Sequence, residues 1–299
     1  MAQRKLSPTP YLFLLPALLL LSLTVFWPAL QAFYLSFTEY GVRLNSTPEW
    51  VGLANFRALL QDKTFWKVLG NTFIYLLGVV PLLVSLPLGL AILVNQRLRG
   101  MHWFRLAYYT PVVISMVVAG IAWKWLYAET GLLNQWGSWL LGDGLGLSFE
   151  AVPWLTHPNF ALYSVMVVTV WKGLGYYMVI YLAGLQGIPE DLYEAAAIDG
   201  SDGPLKHWDI TVPLMRPYVV LVGVISSISA TKVFEEVYVM TSGGPLNSSK
   251  TVVYYVYERA IKDLDISYGC AIGLVLFLVI FALSVLRLSL GSRDPSLGT

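Results

Sequence analysis

Lys172, Lys232, Glu235 and Glu236 are ionisable residues set inside long apolar runs, and their placement asks for a chemical explanation. A lysine at the middle of a lipid-spanning helix costs about 2.5–3.5 kcal/mol on insertion scales, so each such group needs a partner or a wet cavity. Lys172 follows Phe160 by twelve residues, about 18 Å of helix at 1.5 Å per residue, which places it near a bilayer midplane. Ser226, Ser229, Lys232 and Glu236 recur at spacings of three and four, which predicts one polar helical face with Glu235 just round the cylinder. Two chemistries fit. Lys172 or Lys232 with Glu235 or Glu236 would form a structural ion pair between helices. Alternatively, these groups with Trp171, Tyr176, Tyr177, Ser229 and Tyr238 would line a cavity whose charges hydrogen-bond hydroxyls while aromatic rings cover the apolar face of a sugar.

Other chemistries find no constellation. No Ser/His/Asp set or paired carboxylates are spaced for catalysis, and His102, His157 and His207 are too scattered to predict a metal site. The single cysteine, Cys270, allows no disulfide within the chain. Gly244 to Thr251 resembles a phosphate-binding loop, but Ser249 replaces the second glycine and the segment follows an apolar run rather than a buried strand, so nucleotide binding there is not expected. Asn45-Ser46-Thr47 and Asn247-Ser248-Ser249 match only the short glycosylation triplet. A net charge of +1 without a basic cluster argues against nucleic acid as a partner.

The elements that must carry these residues are membrane helices. Hydrophobic residues make up 57% and charged ones 12% of the chain, against about 45–50% and 25% in a soluble domain. Runs of about 20 apolar residues are needed to cross the hydrocarbon core. Six are expected, over 11–37, 70–94, 106–126, 160–185, 218–240 and 268–288, in one transmembrane domain over 11–299 preceded by a short terminus at 1–10. The first run is longer than a signal-peptide core and lacks an A-x-A exit, so it is read as a span. An even count puts both termini on one side. The short basic loop Asn95–Arg105, against Ala128–Asn159 with no Lys or Arg, places that side in the cytoplasm. Pro16, Pro28, Pro81, Pro87 and Pro111 predict bent helices, Gly269 and Gly273 a close helix contact, and Asn71-Thr72 opens the second span, either as a plain helix cap or as a feature with a role of its own. Glu39–Trp66 is expected as a short interfacial helix.

Between the fourth and fifth runs lies a polar loop, 187–217. Pro189, acidic Glu190, Asp191 and Glu194, then Ala195 to Ala197 predict a short helix stopped by Gly200. A second helix is expected from Pro204 to Val212, closed by Pro213 and Pro217, with Trp208 packing it in place.

Glu194-Ala195-Ala196, Asp199-Gly200, Ile210, Pro213 and Pro217 resemble the EAA motif of permease subunits from binding-protein-dependent ABC importers, with Ser201 in place of the usual alanine and His207 in place of an aromatic. Phe234 to Pro245, with Thr241, Gly243, Gly244 and Pro245, is similar to the outer signature of MalF-like sugar permeases, of maltose and glycerol-phosphate type; Glu235 and Glu236 depart from it. The resemblance implies an all-α integral membrane protein with six transmembrane helices in the type I ABC importer permease fold. It implies a non-enzymatic subunit of a bacterial inner membrane importer for a sugar, oligosaccharide, glycosylated polyol or glycerol phosphate. A second MalG-like permease, two ATPase subunits carrying ATP and Mg, and an extracytoplasmic solute-binding protein are the implied partners. Glu194, Ala195, Ala196, Ala197, Asp199, Gly200 and Ser201 would form the coupling helix that meets the ATPase. An ion-coupled secondary transporter, working through the membrane charges themselves, and a membrane-embedded glycosyltransferase are the competing readings.

Overall fold

A computed structural model describes residues 9–40, 47–96, 99–144, 146 and 148–291. Arg4, Lys5 and most of the expected 1–10 terminus, the Asn45-Ser46 part of one triplet, Arg43, Arg97 and Arg293 lie outside the described residues. Helix α1 (Thr9–Leu21) passes through a π-helical turn at Ser22–Phe26 into α2 (Trp27–Leu35). Two-residue strands β1 (Thr38–Glu39) and β2 (Glu49–Trp50) pair antiparallel, Thr38 opposite Trp50, before α3 (Ala54–Gln61). Then come α4 (Lys63–Val94), α5 (Met101–Val113), α6 (Met116–Leu126), α7 (Leu132–Gly137) and α8 (Ala161–Leu185). The polar loop holds α9 (Glu190–Ile198) and α10 (Val212–Leu214); α11 (Arg216–Thr231), α12 (Glu235–Met240), α13 (Val252–Tyr257) and α14 (Ile266–Gly291) complete the order.

Among the described residues, three helices are long and apolar enough to cross a membrane alone: Leu12–Leu35, Lys63–Val94 and Ala161–Leu185. Two further stretches are long and apolar enough only as bent helix pairs, α5 with α6 and 207–214 with α11. The span expected as continuous over 106–126 is α5 and α6, bent by 100°. Pro111 removes one amide from the end of α5, and Ile114 and Ser115 then take extended backbone; the Ser115 hydroxyl accepts from the Val118 amide and starts the new helix. Expected 218–240 is also two helices, since α11 ends at Thr231 and α12 begins at Glu235. Expected 268–288 falls on α14, whose Ile266–Ala282 portion is a shorter apolar helix. The expected interfacial helix over 39–66 resolves into β1, β2, α3 and the first turn of α4.

The chain divides into two compact units, one of 1–62 with 255–299 and one of 63–254. In the first, Asp62 accepts hydrogen bonds from the Tyr255 and Tyr268 hydroxyls, and the Arg259 guanidinium lies 5.2 Å and 5.6 Å from those two ring centres. The second is built on α8, which packs against α4, α5, α11 and α12. Its core joins Tyr75, Val79 and Leu83 of α4 to Val165, Met178 and Tyr181 of α8 and Val222 of α11. Lipid is as apolar as these side chains, so close fit rather than escape from water must hold such a bundle. Gly175 supplies the closest fit: a Cβ there would run into the Tyr108 carbonyl, so α5 and α8 touch backbone to backbone.

Candidate functional site: an intramembrane cavity and an outstanding loop helix

The larger apolar unit carries an open-sided cavity of about 300 Å³. Tyr75 and Val79 come from α4, Val112 from α5, Thr169, Lys172, Tyr176 and Tyr177 from α8, Ser226 and Ser229 from α11, and Glu236 from α12. Of the residues singled out from sequence, Lys172, Tyr176, Tyr177, Ser229 and Glu236 therefore share one space. Trp171, Lys232, Glu235 and Tyr238 do not line it. Trp171 packs edge-on against Trp123, 5.4 Å between ring centres, and Tyr238 stacks on Phe234. Lys232 and Glu235 are exposed, because the break after Thr231 interrupts the polar face that a continuous helix would have carried.

The charges in the cavity are held one at a time. The Lys172 ammonium donates to the Val112 carbonyl at 3.3 Å, in the last turn of α5, where carbonyls have no helical amide to accept from. Thr169 donates to the Glu236 carboxylate at 3.5 Å, and its hydroxyl also meets the Tyr75 hydroxyl at 2.5 Å. Among the described residues, Lys172, Lys232, Glu235 and Glu236 make no ion pair with one another. The structural ion pair allowed by the sequence is thus not formed. Tyr75 and Thr169 escape a sequence reading, because isolated hydroxyls in apolar helices usually bond back to their own ladder.

Asn71 and Thr72 do not cap a span, since α4 begins eight residues earlier, at Lys63. Instead Asn71 donates to the Asn247 and Lys250 carbonyls at 2.8 and 2.9 Å, and Thr72 accepts from the Val252 amide at 3.0 Å. They tie down the signature loop after α12. Within it, Ser249 donates to Thr241 at 2.7 Å, and Gly243 adopts φ +77°, where a Cβ would meet Lys250 and Tyr254 at 3.0 Å. Pro245 follows in the same tight turn, with Ser249 also donating to the Gly244 carbonyl. Ser249 and Lys250 are buried in this packing, so the segment resembling a phosphate loop is closed on itself.

The polar loop forms the second feature. Pro189 precedes α9, Glu190 and Asp191 occupy its first turn, and Gly200 leaves it with φ +88°. Glu194, Ala195, Ala197, Asp199 and Gly200 are exposed, Ala196 and Ser201 half-buried, and Ile198 is 87% exposed. Ser201 donates to Asp209, linking the two halves of the loop. The second half is a π-helical turn over His207–Thr211 running into α10. Pro213 does not close it: proline in a first turn loses no ladder bond, and the chain bends by 58° after Leu214, at Met215. Trp208 is 73% exposed, so it does not pack the loop. His207 does, meeting the Thr211 hydroxyl at 3.1 Å, while Thr211 meets the Tyr193 hydroxyl of α9 at 3.0 Å. Burial, then the neighbouring Lys206, holds the His207 imidazole below its ordinary 6.5. Behind α9 these residues border a polar cavity of about 530 Å³.

Residues 51–292 match the family described as binding-protein-dependent transport system inner membrane component. The chain is 34% identical to a probable ABC transporter permease protein of Pyrococcus horikoshii, over 92% of this chain and 94% of that one. It is also 34% identical to a sulfoquinovosyl glycerol transport system permease protein of Agrobacterium fabrum, covering 89% and 84% respectively. An arabinooligosaccharides transport system permease protein of Halalkalibacterium halodurans is 34% identical over 94% of this chain and 87% of its own. A chain from a bacterial ABC transporter involved in the import of the acidic polysaccharide alginate superposes with a TM-score of 0.83 at 22% identity, over 96% of each chain. That likeness carries the fold.

Proposed function

Because the chain belongs to the binding-protein-dependent transport system inner membrane component family, we propose that it is the permease of an ATP-driven importer for a sugar or sugar-like solute. Within that family it is a non-catalytic, multi-pass membrane subunit. It would cross the bilayer six times, with both termini in the cytoplasm, and pair with a second, MalG-like permease. Two separate ATPase subunits would bind ATP and Mg, and an extracytoplasmic binding protein would deliver solute. Curated relatives that carry sulfoquinovosyl glycerol and arabinooligosaccharides in their names support the sugar class.

The observation that carries this reading is α9, a short helix whose Ala195, Ala197 and Ile198 are exposed on the loop between two apolar helices. An exposed isoleucine on such a helix is suited to burial in a partner's cleft, worth about 1.5–3 kcal/mol for a side chain of that size. Glu194 to Ser201 would receive the movement of the ATPase dimer and pass it through α8 and α11, which flank the loop. The cavity with Lys172, Ser229, Tyr176, Tyr177 and Glu236 would hold the solute in transit, and Thr241 to Pro245 would form part of the outer surface.

Co-expression with the ATPase and companion permease tests it. The parental chain should co-purify as one assembly whose ATP hydrolysis rises when loaded binding protein is added. Ile198→Glu should weaken ATPase retention on the order of tenfold or more, the equivalent of losing that buried side chain. Full retention by Ile198→Glu, with unchanged stimulation, would remove α9 from the coupling interface.

A further inference from the structure

The two charges in the intramembrane cavity stand at its two broken helices. Lys172 fastens the carbonyl end of α5, and Glu236 lies in the first turn after the 232–234 break, held by Thr169. Their contacts to other helices are long, 3.3 and 3.5 Å, where charge-assisted bonds run at about 2.7–2.9 Å, and among the described residues Glu236 otherwise accepts only from its own backbone amide. Both can therefore exchange their protein partner for a ligand atom. One positive and one negative group face the same 300 Å³, with Lys232 and Glu235 exposed outside it. The formal charge of the lining is zero, and the other polar side chains are the hydroxyl-bearing Tyr75, Thr169, Tyr176, Tyr177, Ser226 and Ser229.

On the reading that this cavity holds the solute in transit, we propose that Lys172 and Glu236 act together as a charge-balanced pair that selects uncharged polyhydroxylated solutes. A sugar hydroxyl both donates and accepts, so neighbouring hydroxyls can give a proton to the Glu236 carboxylate and take one from the Lys172 ammonium. Neither protein charge is then left unsatisfied in a poorly screened site, where an unpaired charge is most costly. A uronic acid brings a second anion towards Glu236, and an amino sugar a second cation towards Lys172. Each leaves the cavity one charge out of balance, and like-charge juxtaposition discriminates strongly between ligands of one shape. The volume lies at the lower end of the range for small-molecule sites, which suits one or two sugar rings. Selectivity for charge is thereby written into the membrane segment itself, beyond whatever the external binding protein selects.

The test is equilibrium binding to the assembled importer in nanodiscs, without binding protein or nucleotide. The probes are maltose, a glucuronosyl-glucose disaccharide and a glucosaminyl-glucose disaccharide. The parental assembly should prefer maltose. Glu236→Gln should shift preference towards the uronate probe and Lys172→Gln towards the amino-sugar probe, each on the order of tenfold. The double variant, balanced again, should return to maltose. Single variants that keep the maltose preference, or lose all three probes equally while the assembly stays intact, would overturn the charge pair but leave the cavity as the solute site. If filling the cavity with Ser229→Phe leaves binding of every probe unchanged, the cavity reading itself falls. No binding of any probe by the parental assembly would likewise overturn the proposal.

Discussion

At Gly175 the bundle has no room for even one extra carbon, because the α5 backbone at Tyr108 already occupies the space that a Cβ would need. Gly175→Leu should therefore destabilise the larger unit by about 1–3 kcal/mol, as overpacking does in tightly packed interiors. Thermal unfolding of the solubilised assembly measures this, with Gly89→Leu as the control: nothing lies within 4 Å of that position, and no comparable loss is expected. Asn71 makes a second residue-scale prediction. Asn71→Ala removes the donor to two loop carbonyls, one of them in a buried pair, at a cost of about 1–3 kcal/mol. Faster proteolytic cutting between Gly243 and Thr251 would report it. Lys172 and Glu236 were legible in the sequence because charge is rare in apolar runs. Their partners were not: Thr169 and Tyr75 meet only where α4 crosses α8, and Lys232 leaves the expected face because of a break that no local residue type announces.

At the scale of elements, α9 was readable almost to its ends. Proline, a first turn of acids and a glycine in the left-handed region are local devices that act whatever the tertiary context. The break between α5 and α6 depends on other elements. Pro111 hints at it, but the turn itself is at Ile114 and Ser115, and its loose carbonyl end is capped by Lys172 from α8. His207 gives the loop a predicted pH response. Its folded-state value is depressed, so proton binding favours the opened loop. The contribution of the His207–Thr211–Tyr193 chain is fully present above 6.5, the ordinary value, and is lost as pH falls below it through the depressed one. Stimulation of ATP hydrolysis by loaded binding protein should thus decline on acidification through that window, together with amide protection across α9 and α10. His207→Phe should flatten both profiles, because an aromatic ring fills the site without titrating. Unchanged pH dependence in that variant would assign the effect to another group.

As a member of its permease family the whole molecule is a non-catalytic membrane subunit, and its driving force is the ATPase activity of separate subunits. The segment that most resembles a nucleotide loop is folded shut around Ser249 and buried Lys250, while α9 leaves Ile198 exposed on the polar loop. On the proposed reading, energy would enter by contact at α9, and the bends of 100° between α5 and α6 and of 58° between the loop and α11 would be where a push on that helix is turned into rearrangement around the cavity. An ion-coupled carrier would differ in a measurable way, since its charges would themselves bind the driving ion at each cycle. Reconstituted with its partners in proteoliposomes, the chain should accumulate solute only when ATP is hydrolysed, and a protonophore with a sodium ionophore should leave the initial rate unchanged. An ATPase partner unable to hydrolyse ATP should abolish uptake even with an imposed ion gradient. Gradient-driven uptake in that inactive assembly would transfer the driving role to Lys172 and Glu236 and away from α9.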